Sequence, residues 1–557
     1  LEISPQPTAK LIKARRHSRG GPSLLPVLSP IKILGWAAAI IALLPLFGVL
    51  YAAIQPGRAD IAFKDVARYA TTSGALALGV ALVTGIVGTL AAWLVALHRF
   101  PGSRFFAWAL ALPLAVPAFA LAYSYSQIFD VAGLFRMWLR PTLGFDLPLQ
   151  MRSIPGAVFV LSCAFYPYVF LAMRMAFVNQ SVHPIETARM LGCSVGQAFW
   201  RTVLPLARPA LAAGLALAVM ETLADYGAVQ FLSVQTLTTG VVRAWSVYGS
   251  PASAARFALP LLVTAAALLA LERWGRQGRR YETTRGQQRT LEPITLPPLK
   301  AMAATGFCLG LLALSLILPM GYLLWRSLEV TPDWPRLMAA TTRTLGMGLS
   351  GAIATILLAT LLALGARQMP VVTRIASLGY ATPGAVMAIG LLGPAAVLWA
   401  VFPGSVSGLG VGVALLIYAY AARLMAAALE PIEAGLNKVT PAMSQAARTL
   451  GHSELSTAAR VQLPIARGAL LTAGLIVFID VLKELPATLI LRPFDFDTLA
   501  VLASNYALDE RLAQAGWPSL LIVGLALPGV IWLTRQVTRS GRTRLGRPRS
   551  SRTPDAE

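Results

Sequence analysis

Apolar residues along this chain come in long blocks rather than alternating with polar ones. Ile33–Ile54 carries no charge at all, and Ser350–Ala366 lies inside a second such block. A helix needs about 20 apolar residues to cross a bilayer, more than a buried core helix usually offers. Read against the Pro, Gly and charge breaks, the pattern predicts twelve spans. Their cores are 33–54, 73–97, 105–128, 155–178, 207–231 and 253–273 in the first half of the chain. In the second half they are 302–325, 344–366, 373–400, 406–428, 467–490 and 514–534. Between the halves, Glu272–Lys300 is rich in Arg, Gln, Glu and Pro and reads as a solvated linker. The expected fold is an all-α polytopic membrane protein. It comprises six-span units at 33–275 and 301–536, a linker at 276–300, and basic tails at 1–32 and 537–557.

Composition agrees. Of 557 residues 56% are hydrophobic and only 13% charged, where a soluble domain has about 25%. A soluble enzyme and a disordered scaffold are both excluded. The net charge of +23 would suggest nucleic acid in a soluble protein. In a membrane protein its location matters more, because Lys and Arg collect in cytoplasmic loops. Assigned to alternate sides of twelve spans, more than two thirds of the 47 basic residues fall on the side that holds both termini. Both termini are therefore expected in the cytoplasm, with the basic tails facing anionic lipid and no nucleic-acid partner implied. The basic first residues lead into a full-length span without a cleavage site, which reads as a retained span rather than a signal peptide. Of three cysteines, Cys163 and Cys308 fall in apolar spans and Cys193 in a polar loop, so no disulfide framework is expected.

The two halves resemble each other most after their fourth spans. Glu186-Thr187-Ala188-Arg189-Met190-Leu191-Gly192 leads to Val203-Leu204-Pro205, and Gln445-Ala446-Ala447-Arg448-Thr449-Leu450-Gly451 leads to Val461-Gln462-Leu463-Pro464. Both Gly and Pro recur at one offset, so the halves form a parallel repeat about an axis along the membrane normal. Each loop has the grammar of a short capped helix. Thr440 can be an N-cap before Pro441, Glu186 suits a first turn, and Gly192 and Gly451 can end the helices with φ > 0. Two capped helices on the cytoplasmic side suit insertion into a partner.

This pattern resembles the EAA loop of ABC importer permeases, in which the loop docks as a coupling helix on the ATP-hydrolysing subunit. Glu186, Ala188, Gly192, Leu204 and Pro205 match in the first half, and Ala446, Ala447, Gly451, Leu463 and Pro464 in the second. Thr187 replaces one Ala of the pattern, and Gln445 replaces its Glu, so the second loop lacks its acidic contact. The resemblance implies a type I importer fold of two fused permease domains, with two ATP-binding subunits beneath the loops. The chain contains no Gly-Lys dipeptide and hence no P-loop. ATP and Mg are accordingly expected on the partner ATPase, with no cofactor bound by this chain.

Charges inside spans are costly and usually face a bundle interior or an aqueous path. The fifth span carries Glu221 and Asp225, and the eleventh carries Asp480 and Glu484, at the same offset as the loops. Each pair is four residues apart, so each is expected on one helical face. Four carboxylates about one path suit a hard cation, which prefers oxygen ligands. Alternatively, Lys483 or Arg243 could neutralise them, or they could cap helix ends. No fixed metal site is expected, because a transporter must release its cargo, and the four scattered histidines show no ligand spacing. Pro486 and Pro493 should break or end the eleventh helix, with Gly227 loosening the fifth at the equivalent point. Pro113, Pro117, Pro383 and Pro394 are expected to kink spans for packing.

Around the carboxylates, Ala224-Asp225-Tyr226-Gly227-Ala228-Val229 with Thr236-Leu237-Thr238-Thr239-Gly240 is similar to ferric-iron permeases. So is Lys483-Glu484-Leu485-Pro486-Ala487-Thr488 with Leu491-Arg492-Pro493-Phe494. The resemblance implies ferric iron, a periplasmic ferric-iron-binding protein, and a place in the bacterial inner membrane. It also implies a translocation path that includes Glu221, Asp225, Tyr226, Asp480, Lys483 and Glu484. Fused thiamine permeases are relatives, and a gradient-driven secondary carrier can have the same two parallel halves.

Overall fold

The computed structural model describes residues 30–56, 63–129, 150–179, 199–277, 294–366, 382–401 and 408–543, with a few single positions between them. The fold is all-helical apart from one two-residue strand pair. Ten of the described helices are long and apolar enough to cross a membrane, and a bent pair makes an eleventh. That pair is the third expected span. The ninth is represented by Gly384–Val401, the residues before 382 lying outside the described ones.

The third span is more than kinked for packing. Helix Ser103–Ala109 runs through a 3-10 turn at Leu112–Ala115 and then turns by 91° into Ala118–Ile128. The cause is local. Proline disfavours helical geometry in the residue before it, and Val116 accordingly extends at φ −90° and ψ 123°.

Pro also shapes the entries to the fifth and eleventh spans and the middle of the seventh. A wide π turn, at Phe199–Val203, Ala313–Ile317 and Ala458–Gln462, precedes each Leu-Pro of Leu204-Pro205, Leu318-Pro319 and Leu463-Pro464. A proline cannot donate to the carbonyl four residues back, and its ring crowds that carbonyl, so the helix widens there.

The first span of each half crosses to the other half. Pro30–Ile54 packs on Trp334–Ala366 and Gly384–Val401 as well as on Pro251–Gln277 of its own half. The approach is backbone to backbone: a Cβ on Gly48 would stand 1.8 Å from the Gly390 carbonyl oxygen, so only small residues fit. The Tyr418 hydroxyl donates to the Ile41 carbonyl across the same boundary. Reciprocally, the span Pro298–Ser327 packs on Ala118–Ile128. There Ser124 Oγ donates to the Pro319 carbonyl at 3.0 Å, and the Tyr125 hydroxyl donates to that of Leu314.

The end of the linker is held rather than free. Ile294–Thr295 pairs in parallel with His98–Arg99, just after the second span. His98 is buried there against Trp93, and burial pushes its imidazole below the ordinary value.

Candidate functional site

The fifth span ends earlier than its apolar pattern suggests, at Ala224, and the chain resumes as the short helix Gly227–Phe231. The eleventh ends at Leu482 and resumes at Pro486–Leu491. The break falls at equivalent positions of the two halves, as Pro486 and Gly227 led us to expect. It also separates the carboxylates that were expected to share a helical face. Glu221 and Asp480 remain in the last turns of their spans, whereas Asp225 and Glu484 lie beyond the helix ends.

Those two take up capping roles. Asp225 Oδ1 accepts from the backbone N–H of Ala228 at 3.0 Å and of Val229 at 3.2 Å. Glu484 Oε1 accepts from the N–H of Ala487 at 3.0 Å. A carboxylate at a helix start satisfies orphan donors and favours the local dipole.

All six path residues expected from the sequence line one cavity of about 70 Å³ between the halves: Glu221, Asp225, Tyr226, Asp480, Lys483 and Glu484. The repeat is visible in its walls. Glu221 pairs by pseudo-symmetry with Asp480, Asp225 with Glu484, Tyr226 with Leu485, and Gly227 with Pro486, and all of them are lining residues. The bent third span closes one side through Leu114, Val116 and Pro117. Pro117 thus shapes a cavity wall and does not serve packing alone.

Arg423 in the tenth span was not among the expected residues, and it is central. Its guanidinium donates to Glu484 Oε2, with side chains only 14% and 6% exposed. The signal was readable as an intramembrane Arg in Ala421-Ala422-Arg423-Leu424. Lys483 Nζ lies 3.0 Å from Asp480 Oδ1 and donates to the Leu114 carbonyl at 3.3 Å. Arg243 plays no such part, since it lies over the Tyr248 ring at 5.8 Å and is hydrogen-bonded to Tyr69.

The pseudo-equivalents of Arg423 and Lys483 are Ala164 and Ala224, which also line the cavity. All the positive charge thus comes from the second half. Four carboxylates face two cations, for a formal charge of −2. Among the described residues, no three His, Cys, Asp or Glu side chains stand close enough together to hold a metal ion.

The loop after the tenth span folds as its sequence grammar suggests. Thr440 accepts from the Met443 N–H, Pro441 opens the helix Pro441–Thr449, and Gly451 ends it at φ 85°. Gln445, Ala446 and Ala447 lie on this helix, and a 2.7 Å pair of Arg448 with Glu454 braces it to the next turn. Leu463 and Pro464 open the eleventh span behind it. In the first loop Gly192 has the same φ of 85°, and Leu204 and Pro205 open the fifth span. Glu186 and Ala188 lie outside the described residues. Leu450 and Met190 are 79% and 88% exposed, apolar side chains offered at the ends of the two loops.

Residues 84–276 match the family model described as the inner membrane component of binding-protein-dependent transport systems. The chain is 24% identical over 468 residues to an Fe(3+)-transport system permease protein, FbpB 2, of Haemophilus influenzae. That match spans 81% of this chain and 87% of the relative. Shorter matches reach the sulfate transport system permease protein CysT of Escherichia coli, 29% identical over 27% of this chain and 53% of that one. Another is the molybdenum transport system permease protein ModB of Haemophilus influenzae, 26% identical over 33% of this chain and 81% of that one.

Proposed function

We propose that this chain, a multi-pass permease of the binding-protein-dependent ABC importer type, carries ferric iron across the inner membrane by alternating access. A periplasmic ferric-iron-binding protein would deliver the cargo at the outer face. Two ATP-binding subunits, holding ATP and Mg, would seat the loops around Gly192 and Gly451. Both termini would then face the cytoplasm.

The observation that carries the cargo assignment is the charge of the central cavity. Four carboxylates against two cations favour a cation and disfavour an oxyanion, because a cleft with low-dielectric walls focuses the field of its charges. The partial likeness to sulfate and molybdenum permeases therefore extends to the machinery rather than to the cargo. The broad likeness to an iron permease agrees with the sign of the cavity. The exposed Leu450 and Met190, set on capped turns, supply apolar contacts for the ATPase subunits, which a gradient-driven carrier would have no use for.

Uptake of radiolabelled ferric iron, beside labelled thiamine and sulfate, in cells lacking the chromosomal copy tests the reading. Iron uptake restored by the wild-type chain, and abolished when the partner ATPase is inactivated, is the expected result. Restored thiamine or sulfate uptake without iron would overturn the cargo, and uptake indifferent to the ATPase would overturn the class.

A further inference from the structure

Each half contributes two carboxylates to the cavity, but only the second half contributes cations. Arg423 and Lys483 project into the cavity from the second half, where the first half has Ala164 and Ala224. Nothing in the repeat requires this difference, since both halves build the same helix break and the same caps. The structure makes room for one of the two pairs. Any Cβ at position 384 would stand 2.2 Å from Glu484 Oε1 and 3.2 Å from Arg423 Nη1, so a bare backbone at Gly384 lets the pair form. Lys483 is tied at two points, to Asp480 and to the Leu114 carbonyl of the bent span. Arg423 makes its direct ion pair with Glu484, while Glu221 and Asp480 act on it through charge alone.

We infer that Arg423 is a tethered counter-ion of the path: in the unloaded permease its guanidinium holds Glu484, and the passing cation competes with it for that carboxylate. The inference rests on the cation reading above and deepens it. Its logic is that of conduction: a cation must be drawn in strongly enough to enter and held weakly enough to leave. Four unopposed carboxylates, even without ligating it together, would hold a trivalent ion strongly by charge alone. A cation already attached to the wall returns to Glu484 as the cargo departs, which speeds release. Arg423 is thus a positioning residue that sets how tightly the path grips its cargo.

The test compares cation affinity with transport rate. The full chain in nanodiscs is titrated with Tb³⁺, a hard trivalent ion whose luminescence is sensitised by nearby tyrosine. Tyr168 and Tyr226 line the cavity. Arg423→Gln removes the charge yet keeps a donor for Glu484, and Arg423→Lys keeps the charge. R423Q is expected to bind Tb³⁺ about tenfold more tightly than wild type, the scale of a single close charge, and R423K to bind like wild type. In cells, R423Q should lower the maximal rate of iron uptake while lowering its half-saturating concentration. A merely structural role would lower the rate without tightening binding. Should R423Q fail to insert, Lys483→Gln removes the other cation of the same wall and is expected to tighten Tb³⁺ in the same direction. Equal or weaker Tb³⁺ binding by the inserted variant, with wild type binding measurably, would overturn the counter-ion and leave the cation path standing. Failure of wild type and variants alike to bind Tb³⁺, together with wild-type cells that take up no iron, would overturn the cation reading itself.

Discussion

Asp225 and Glu484 each have two roles that a single substitution would confuse. Each caps a short helix and each contributes charge to the cavity. The amide separates these roles, because an amide oxygen can still accept from the same backbone N–H. Asp225→Asn should therefore unfold at nearly the wild-type temperature, whereas Asp225→Ala should lose about 1 kcal/mol, the usual worth of a cap. Both should slow iron uptake if the charge serves the cargo. Thermal unfolding in detergent beside uptake in cells would check this, and normal uptake by the Asn variant would reduce Asp225 to a cap. At this scale the sequence was half legible. The carboxylates stood out because charge inside an apolar span is expensive. Their division into caps and free wall residues did not, because it depends on where the helix stops. Arg423 carried the same signal and was overlooked beside the repeated acids. Its pairing with Glu484 joins two different spans, and no local pattern reveals that.

Single helices show the same mixture. The breaks after Ala224 and Leu482 were foreshadowed by Gly227 and Pro486, and the Gly451 turn by the capping grammar of its loop. The right-angle bend at Val116 and Pro117 was underestimated, since a Pro in a span more commonly produces a modest kink. Pro117→Ala should let the third span straighten. The variant should change in stability by no more than about 1 kcal/mol, because Pro117 stands at the N-cap of Ala118–Ile128 and not in a helix interior. It should nevertheless lose uptake, since the cavity loses a wall. Full uptake by the variant would show that the bend is incidental. At the loop after the tenth span, nothing lies within 4 Å of the Gly451 Cβ position, so a substitution there acts through backbone strain alone. Gly451→Val should cost about 1–2 kcal/mol locally and weaken ATPase co-purification, while Gly451→Asn, which tolerates φ > 0, should keep it. Equal co-purification of both variants would count against the loop as a docking element.

Over the whole molecule, the parallel repeat was legible because loops and carboxylates recur at one offset. The exchange of first spans between halves was not. Pro30–Ile54 is apolar on every side, so its sequence does not distinguish a lipid-facing surface from one that packs on Gly390. The cavity itself is walled by other spans of both halves, so a motion of either half moves its walls. The charge asymmetry then gives the cavity a polarity of composition: the first half supplies carboxylates, and the second supplies carboxylates with their own counter-ions.

The central claim is that this negative cavity carries a cation. The most direct measurement is ferric-iron uptake by cells whose only copy is the combined variant Glu221→Gln, Asp225→Asn, Asp480→Asn and Glu484→Gln, compared with wild type at equal membrane insertion. The amides preserve the caps but leave Arg423 and Lys483 without their partners, a cost that the comparison at equal insertion sets aside. Uptake should fall by at least about tenfold, the scale of a single close charge. Wild-type uptake in the amide variant would contradict the claim and return the four carboxylates to structure.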